Sequence, residues 1–428
     1  MCAVRKPLIF KSAASFVVGL LALTACSPTP DATTSRSTVE YQPVSLEEAT
    51  SVDDVVRATT EIGAAALQFH DAEENVVLSP ASIAMAFAML AEGAEAEAAE
   101  ELDGFLGASQ DERTQAFSAL QATLAQYDGD PASIHDEELP ERPMVHMANH
   151  TVVRNDGDVK ATYLDTLAKH YDAGVQEVDF SSDTAQRILD EWANHHTGGL
   201  IEESGVEPTE KTLMVLQNAI LMAAAWAAPF ETAQPGDFTL PGGKLIQTDI
   251  MEQIVTAQYT EYQNAQIVRL PYTESFAMDI VLPAEAQSAR SLSAADWEQI
   301  SQRLTRENAT TQVDLSMPVM DLSSSRETTD LLRFLSDDQG LAQTLAGNSL
   351  DGIMESDLWI ESVNHQAVLQ VDEAGTVAAA VTEIGVAEIS APVVEDSVEM
   401  HVDRPFALRI VHTETEWPLF MAAVSDPR

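Results

Sequence analysis

Cysteine is nearly absent from this chain and positive charge is scarce. Its 428 residues include two cysteines, Cys2 and Cys26, and 22 lysines and arginines against 69 aspartates and glutamates, a formal charge of −47. So few thiols, both placed in or at the edge of the leader described below, leave no intrachain disulfide, cysteine nucleophile or thiolate metal site in the mature chain. Scarce cations argue against nucleic acid as a partner, because its phosphates would be repelled. The acids are scattered, with short clusters such as Asp136-Glu137-Glu138, which reads as a solvated surface. Many carboxylates and few lysines also suit a salty milieu, where screening is strong. No HExxH, G-x-S-x-G or P-loop occurs, no internal repeat is visible, and nothing calls for a metal or a cofactor. His195-His196 reads as a polar helix end before Gly198-Gly199 rather than as a metal site.

A long hydrophobic run is missing as well. The apolar stretch 13–25, behind Arg5, Lys6 and Lys11, is too short to span a bilayer comfortably and reads as a leader. Leu23-Thr24-Ala25-Cys26 matches the bacterial lipobox, which makes Cys26 the lipidated first residue of the mature protein. Losing residues 1–25 removes three basic and no acidic residues, so the mature chain is more negative still. Acyl chains contribute about 0.8 kcal/mol per buried CH₂, enough in combination to hold a soluble domain at a membrane. Ser27, in place of aspartate, points to the outer membrane if the host is Gram-negative. The expected location is therefore the cell envelope, periplasmic or surface-exposed. Residues 26–50, rich in Ser, Thr and Pro, read as a flexible tether, and 51–428 as the folded body.

In that body the apolar spacing predicts a helix from residue 52, where Val55, Val56, Ile62, Ala66 and Phe69 recur. Ser79-Pro80 should open a second helix, with serine as N-cap and proline in the first turn, and Gly93 should end it. Further helices are expected at 95–105, 163–171, 184–196 and 327–335, with an exposed loop over 128–143. Residues 212–226 form a near-continuous apolar run, read as a strand buried on both faces. Strands are predicted around 266–270, 276–282, 311–318, 358–372, 398–402, 406–412 and 419–424, and a turn at 240–245. Helices dominate the first half and strands the second, which gives an α+β class.

After the strand-like run ending near Gln370 comes Val371-Asp372-Glu373-Ala374-Gly375-Thr376, and then a featureless stretch of small residues to Thr382. At period 2, the face carrying Thr376, Ala378, Ala380 and Thr382 has nothing larger than threonine. Such a segment could slide between two existing strands without a clash.

This combination resembles the hinge of the serpins, and other blocks carry the same resemblance in family order. They are residues 75–83 (NVVLSPASI) with 90–94 (LAEGA), 148–153 (ANHTVV) leading to Val178-Asp179-Phe180, 215–220 (VLQNAI) through Trp226, 268–272 (VRLPY), Asp403-Arg404-Pro405-Phe406 and Pro418-Leu419-Phe420-Met421. The resemblance implies a single domain with three β-sheets, about nine helices and an exposed reactive loop. The implied hinge is Glu373, Gly375, Thr376, Ala378, Ala379, Ala380 and Thr382. Ser79, Ser82, Asn218 and His365 match the family's shutter, the polar cluster beneath the opening sheet, and Trp226 matches the tryptophan of the breach where the loop enters. Taken singly these would be an N-cap, a helix serine, a strand asparagine, a lone histidine and a core aromatic. Val377, Ala374 and Ala422 depart from the family pattern, the first two without evident harm to insertion.

The resemblance further implies a suicide inhibitor of serine proteases. The scissile bond, about sixteen residues beyond the hinge glutamate, falls between Ile389 and Ser390. Isoleucine there suits elastase-like or subtilisin-like targets and not trypsin-like ones. A shift of one residue would present Glu388 to a glutamate-specific protease. The expected partners are the target protease and, through the lipid, a membrane; the chain is expected to be a monomer. The alternative is a non-inhibitory serpin acting as a cell-surface binding or structural protein.

Overall fold

Helix α1 (Val52–Gln68) forms where the periodicity predicts it, with Asp53 and Asp54 in the first turn, near the positive end of the helix dipole. The computed structural model describes residues 32–35, 37–70, 73–135, 139–284, 287–306, 310–325, 333–347, 349–354, 358, 360, 363, 365–376 and 397–428. Cys26, Ala378, Ala379, Ala380, Thr382, Ile389 and Ser390 lie outside the described residues.

Helix α2 (Pro80–Ala91) has the expected cap, the Ser79 side chain accepting from the Ser82 amide. Its burial is not one-sided: every residue but Ala86 is buried, so the helix is a core element. Gly93 does not end it through a left-handed conformation. A side chain there would collide with Ile353, its Cβ lying 2.2 Å from Cγ1, so close packing requires the glycine. Helices α3 (Ala96–Leu106), α5 (Ala161–Tyr171) and α6 (Asp183–His196) match expectation within a few residues. Two long helices went unpredicted, as did the short one below: α4 (Gln110–Ala125) and α7 (Ala294–Leu304), the latter opened by a reciprocal Ser293–Asp296 capping box. A short α8 (Ala342–Ala346) follows a π-helical turn, Phe334–Asp338. The predicted loop 128–143 contains a 3₁₀ turn, Pro131–His135, that buries Ile134.

The strands are β1 (Ala32–Ser35), β2 (Val76–Leu78), β3 (Met144–Arg154), β4 (Val175–Val178), β5 (Met214–Ala225), β6 (Gln234–Thr239), β7 (Leu245–Tyr262), β8 (Ala265–Pro271), β9 (Phe276–Leu282), β10 (Thr310–Pro318), β11 (Met320–Ser325), β12 (Gln366–Val371), β13 (Gly375–Thr376), β14 (Val398–His401), β15 (Phe406–His412) and β16 (Trp417–Val424). Seven form one sheet in the order β1-β4-β3-β5-β13-β12-β11. The other two sheets run into each other through β7, which pairs with β6 and β10 along most of its length and with β8 at its end. That continuous path reads β14-β10-β7-β8-β9-β15-β16-β2. Strands β9, β15 and β16 are buried at every position, and α1 and α2 pack on β16.

The expected tether needs correction in its described part. Strand β1 pairs antiparallel with β4 at the edge of the seven-stranded sheet. Beyond it the Gln42 amide donates to the Lys169 carbonyl at 2.8 Å, the Val44 amide donates to Ser118 Oγ at 3.3 Å, and Ala49 is buried. Backbone pairing outweighs what a Ser/Thr/Pro composition suggests, and the packed body begins before residue 51.

Candidate functional site

Strand β12 ends at Val371, and the chain then reverses. The Asp372 carboxylate makes the turn, accepting from the amides of Ala374 at 2.8 Å and Gly375 at 3.0 Å. Burial raises the Asp372 carboxyl above the ordinary aspartate range, against the lowering effect of those two amides. Gly375 and Thr376 then re-enter the sheet as β13, pairing with Ala225 and Ala224 of β5 on one side, while Thr376 pairs with Val371 of β12 on the other. The Cβ of any residue replacing Gly375 would lie 2.2 Å from the Ala224 carbonyl oxygen, so only glycine fits.

Trp226 is the post around which this turn is built. Its amide donates to the Ala374 carbonyl at 2.9 Å and its Nε1 donates to the Asp372 carbonyl at 3.0 Å. Its ring lies parallel to Tyr272, 4.5 Å away. Glu373 is held at both ends, its carbonyl by the Phe230 amide and its carboxylate by the Ala233 amide, each at 2.8 Å. The Thr376 side chain points inward and shares a hydrogen bond of 2.5 Å with the Tyr272 hydroxyl, which burial pushes far above the ordinary tyrosine range.

Below Thr376 the sheet is open. From Met214 to Ala223, β5 is paired with β3 on one side and, among the described residues, with no strand on the other. A cavity lies along this opening, lined by Leu216 and Ile220 of β5, Gln366 and Val368 of β12, and Trp192 and Leu200 from the end of α6 and the chain beyond it.

Under the opening the structure gathers the four expected polar residues. His365 Nε2 accepts from the Ser79 amide at 3.0 Å, which fixes its proton on Nδ1. Ser79 Oγ accepts from the Ser82 amide at 3.1 Å, and Ser82 Oγ donates to Asn218 Oδ1. Asn218 passes the chain on, its Nδ2 donating to Asn149 Oδ1 of the neighbouring strand. Asn149 was not singled out in the sequence, although it lies in one of the matched blocks; only the strand register reveals its place.

A second cluster also escaped sequence reasoning. Asp279, fully buried, accepts from Arg269 Nε at 2.6 Å and Arg409 Nε at 2.8 Å, while Arg269 also binds Glu416 at 2.6 Å. The arginines hold the Asp279 carboxyl below its usual range despite its burial. The network ties β8, β9, β15 and the β15–β16 turn and lies away from the opening. Among the described residues, no three or more His, Cys, Asp or Glu side chains are gathered as a metal-ligand set.

An α+β body whose main sheet stays open between two strands, with the incoming chain clamped at the mouth, defines a class of single-domain proteins with room for one further strand. The chain belongs to the serpin family: the family model Serpin (serine protease inhibitor) matches residues 63–427. A serine protease inhibitor of Cyanea capillata is 30% identical over 370 residues, covering 83% of this chain and 93% of that one. An alpha-1-antiproteinase of Mus saxicola is 26% identical over 415 residues, 92% of each chain. Among solved structures, the native state of the thermophilic serpin tengpin superimposes with a TM-score of 0.77 at 22% identity, covering 92% of this chain and 100% of that one; at that identity the likeness concerns the fold alone. Members of the family are generally protease inhibitors rather than enzymes.

Proposed function

We propose that this chain is a suicide inhibitor of serine proteases, cut between Ile389 and Ser390 and trapping its target by inserting the cut loop between β5 and β12. The observation that carries this reading is the hinge: Gly375 and Thr376 already occupy the mouth of the opening, and below them β5 has, among the described residues, no strand on that side. A strand continuing the β13–β5 register downward would carry Ala378, Ala380 and Thr382 on the face of Thr376 and would bring Thr382 opposite Asn218. Small side chains fit there, and the Ser79–Ser82–Asn218–His365 cluster would exchange hydrogen bonds with the new strand, acting as a shutter.

The chemistry is the protease's own. Its serine attacks the Ile389 carbonyl, the Ile389–Ser390 bond breaks, and the new Ser390 amine leaves with the C-terminal segment. Insertion then carries the acyl-enzyme away from its working geometry before water can release it. An isoleucyl bond favours elastase-like or subtilisin-like targets. Lipidation at Cys26 would hold the inhibitor in the cell envelope, where it could shield its host from such proteases.

Incubating the mature chain with elastase-, subtilisin-, trypsin- and glutamate-specific proteases tests this. A covalent complex on denaturing gels, with a released peptide beginning at Ser390, supports the mechanism and the bond together. Clean loop cleavage with no complex and full protease activity would favour the non-inhibitory alternative, a surface binding or structural protein.

A further inference from the structure

The two faces of the β3–β5 pair carry different polar systems. One face holds Asn149 and Asn218 of the cluster described above. The other, under α6, holds His146, His150 and Gln217, and onto these the C-terminal part of α6 brings Trp192 and His196.

The contacts form a relay. Asp128 Oδ1 accepts from His146 Nδ1 at 2.6 Å, which leaves His146 Nε2 as an acceptor facing His196 Nδ1 at 2.9 Å. The two imidazole planes differ by 2° with centroids 5.2 Å apart. That spacing equals the hydrogen bond plus a ring radius at each end, so the rings lie edge to edge in one plane rather than face to face. One proton alone fits between the two nitrogens. Nearby, the His150 ring stacks on Trp192 at 5.0 Å and donates from Nδ1 to Gln217 Oε1 at 3.1 Å, while Gln217 Nε2 donates to the Leu189 carbonyl of α6 at 3.3 Å. These groups fasten α6 across β3 and β5, and the chain just beyond α6 roofs the open strand position.

We propose that this histidine relay is an acid-sensitive latch: it holds α6 down on the sheet near neutral pH and loosens as pH falls, easing uptake of a strand between β5 and β12. The device governs the readiness of the sheet to open and holds whether or not the chain traps a protease.

The charges around His196 set the direction. His146 and His150 face it from β3 and His195 from its own helix, and Asp128 supplies the opposing carboxylate. Strands β4 and β5 contribute the neutral Gln176 and Gln217, whose Oε1 atoms face His150 Nε2 at 2.7 Å and Nδ1 at 3.1 Å and favour a proton there against the opposing effect of burial. His135 of the 3₁₀ turn donates to the Gly198 carbonyl at 2.6 Å and remains a donor when charged. Burial, then the neighbouring histidines, lower His196 to about 4, and burial lowers His150 as well. A relay with one extra proton still has a single N–H between the two rings and keeps its hydrogen bonds; a second extra proton would set like charges on both rings across 2.9 Å. With α6 lifted, His196 returns toward the ordinary histidine value of about 6.5. The lifted state therefore binds more protons between those two values, and acid favours it.

The test uses the mature chain and a synthetic peptide of residues 377–389 as the probe strand, with uptake followed by native gel shift and gain in thermal stability. Uptake should run about thirtyfold faster at pH 5.0 than at pH 7.5, the linkage of one proton over the roughly 1.5 pH units between about 6.5 and 5.0. The H146Q/H196Q double variant, which keeps neutral hydrogen-bonding side chains, should flatten that dependence, and D128N should move it to higher pH. Hydrogen exchange of residues 183–206 at both pH values, corrected for intrinsic rates, gives the same comparison without a peptide. A flat wild-type response in both measurements, an unchanged slope in H146Q/H196Q, or a slope removed by H365Q alone would overturn the proposal.

Discussion

Tyr272 and Thr376, 104 positions apart in sequence, share a buried hydrogen bond of 2.5 Å at the mouth of the open sheet position. Trp226, stacked on Tyr272, binds the backbone on the other side of the same turn. The three side chains fix the turn that returns the chain to the sheet, and on the proposed insertion Thr376 would be the first inward-facing rung of the new strand.

Replacing Tyr272 by phenylalanine leaves the Thr376 hydroxyl buried without its partner. An unsatisfied buried hydroxyl costs about 1–3 kcal/mol. We expect a native state weakened by that amount in urea titrations, with faster cleavage at the loop because the hinge leaves the sheet more readily. Trp226→Phe should lose the Asp372 contact but keep much of the stack, and should be milder.

Thr382→Arg tests the inward face. The register continued from Gly375 and Thr376 brings position 382 opposite Asn218, where a guanidinium would have to be buried beside the polar cluster. The variant should fold and be cleaved at the normal rate, yet fail to form the covalent complex, behaving as a substrate. Densitometry of complex against cleaved product reads this directly.

Much of this site was legible in the sequence, for a local reason. Glycine at 375 and the serine cap at 79 each follow from conformation and size within a few residues. The partners were not legible. Asn149 joins Asn218 through the β3–β5 register, and Tyr272 reaches Thr376 across 104 positions. Helix α4 was missed because its buried face mixes Arg113, Thr114 and Ser118 with Phe117 and Leu120, and the polar members are satisfied by distant residues. Glu92 accepts from Thr114, for example, at 2.7 Å. The docking of 32–50 was hidden because its contacts are made largely by backbone.

Asp279→Asn should be among the most damaging single changes. It leaves Arg269 and Arg409 buried with their charge half-compensated, which costs about 3–5 kcal/mol when one partner of a buried pair is removed. Because the folded Asp279 carboxyl titrates below its unfolded value, its contribution is complete above about pH 4 and is lost as pH falls through the folded value. The difference between wild type and variant should accordingly shrink in acid, as measured by denaturant midpoints from pH 7 downward.

A chain shortened to begin at residue 51 should be less stable than one beginning at residue 27. It lacks β1 on the edge of β4 and the backbone hydrogen bonds to Lys169 and Ser118. Thermal unfolding of the two chains compares them; equal midpoints would return the segment to the status of a loose tether.

The central claim is that the sheet waits for one more strand. The most direct measurement is thermal unfolding before and after the loop is nicked by a protease that the chain does not trap. If the cut segment fills the position beside β5, the nicked protein gains a full ladder of strand hydrogen bonds, and its unfolding temperature rises by about ten degrees or more, on the order of ten kcal/mol at roughly 1.3 °C per kcal/mol for a body of about 380 residues, each adding about 2.1 cal/mol/K to the unfolding entropy. An unchanged or lowered unfolding temperature after complete cleavage would contradict the account.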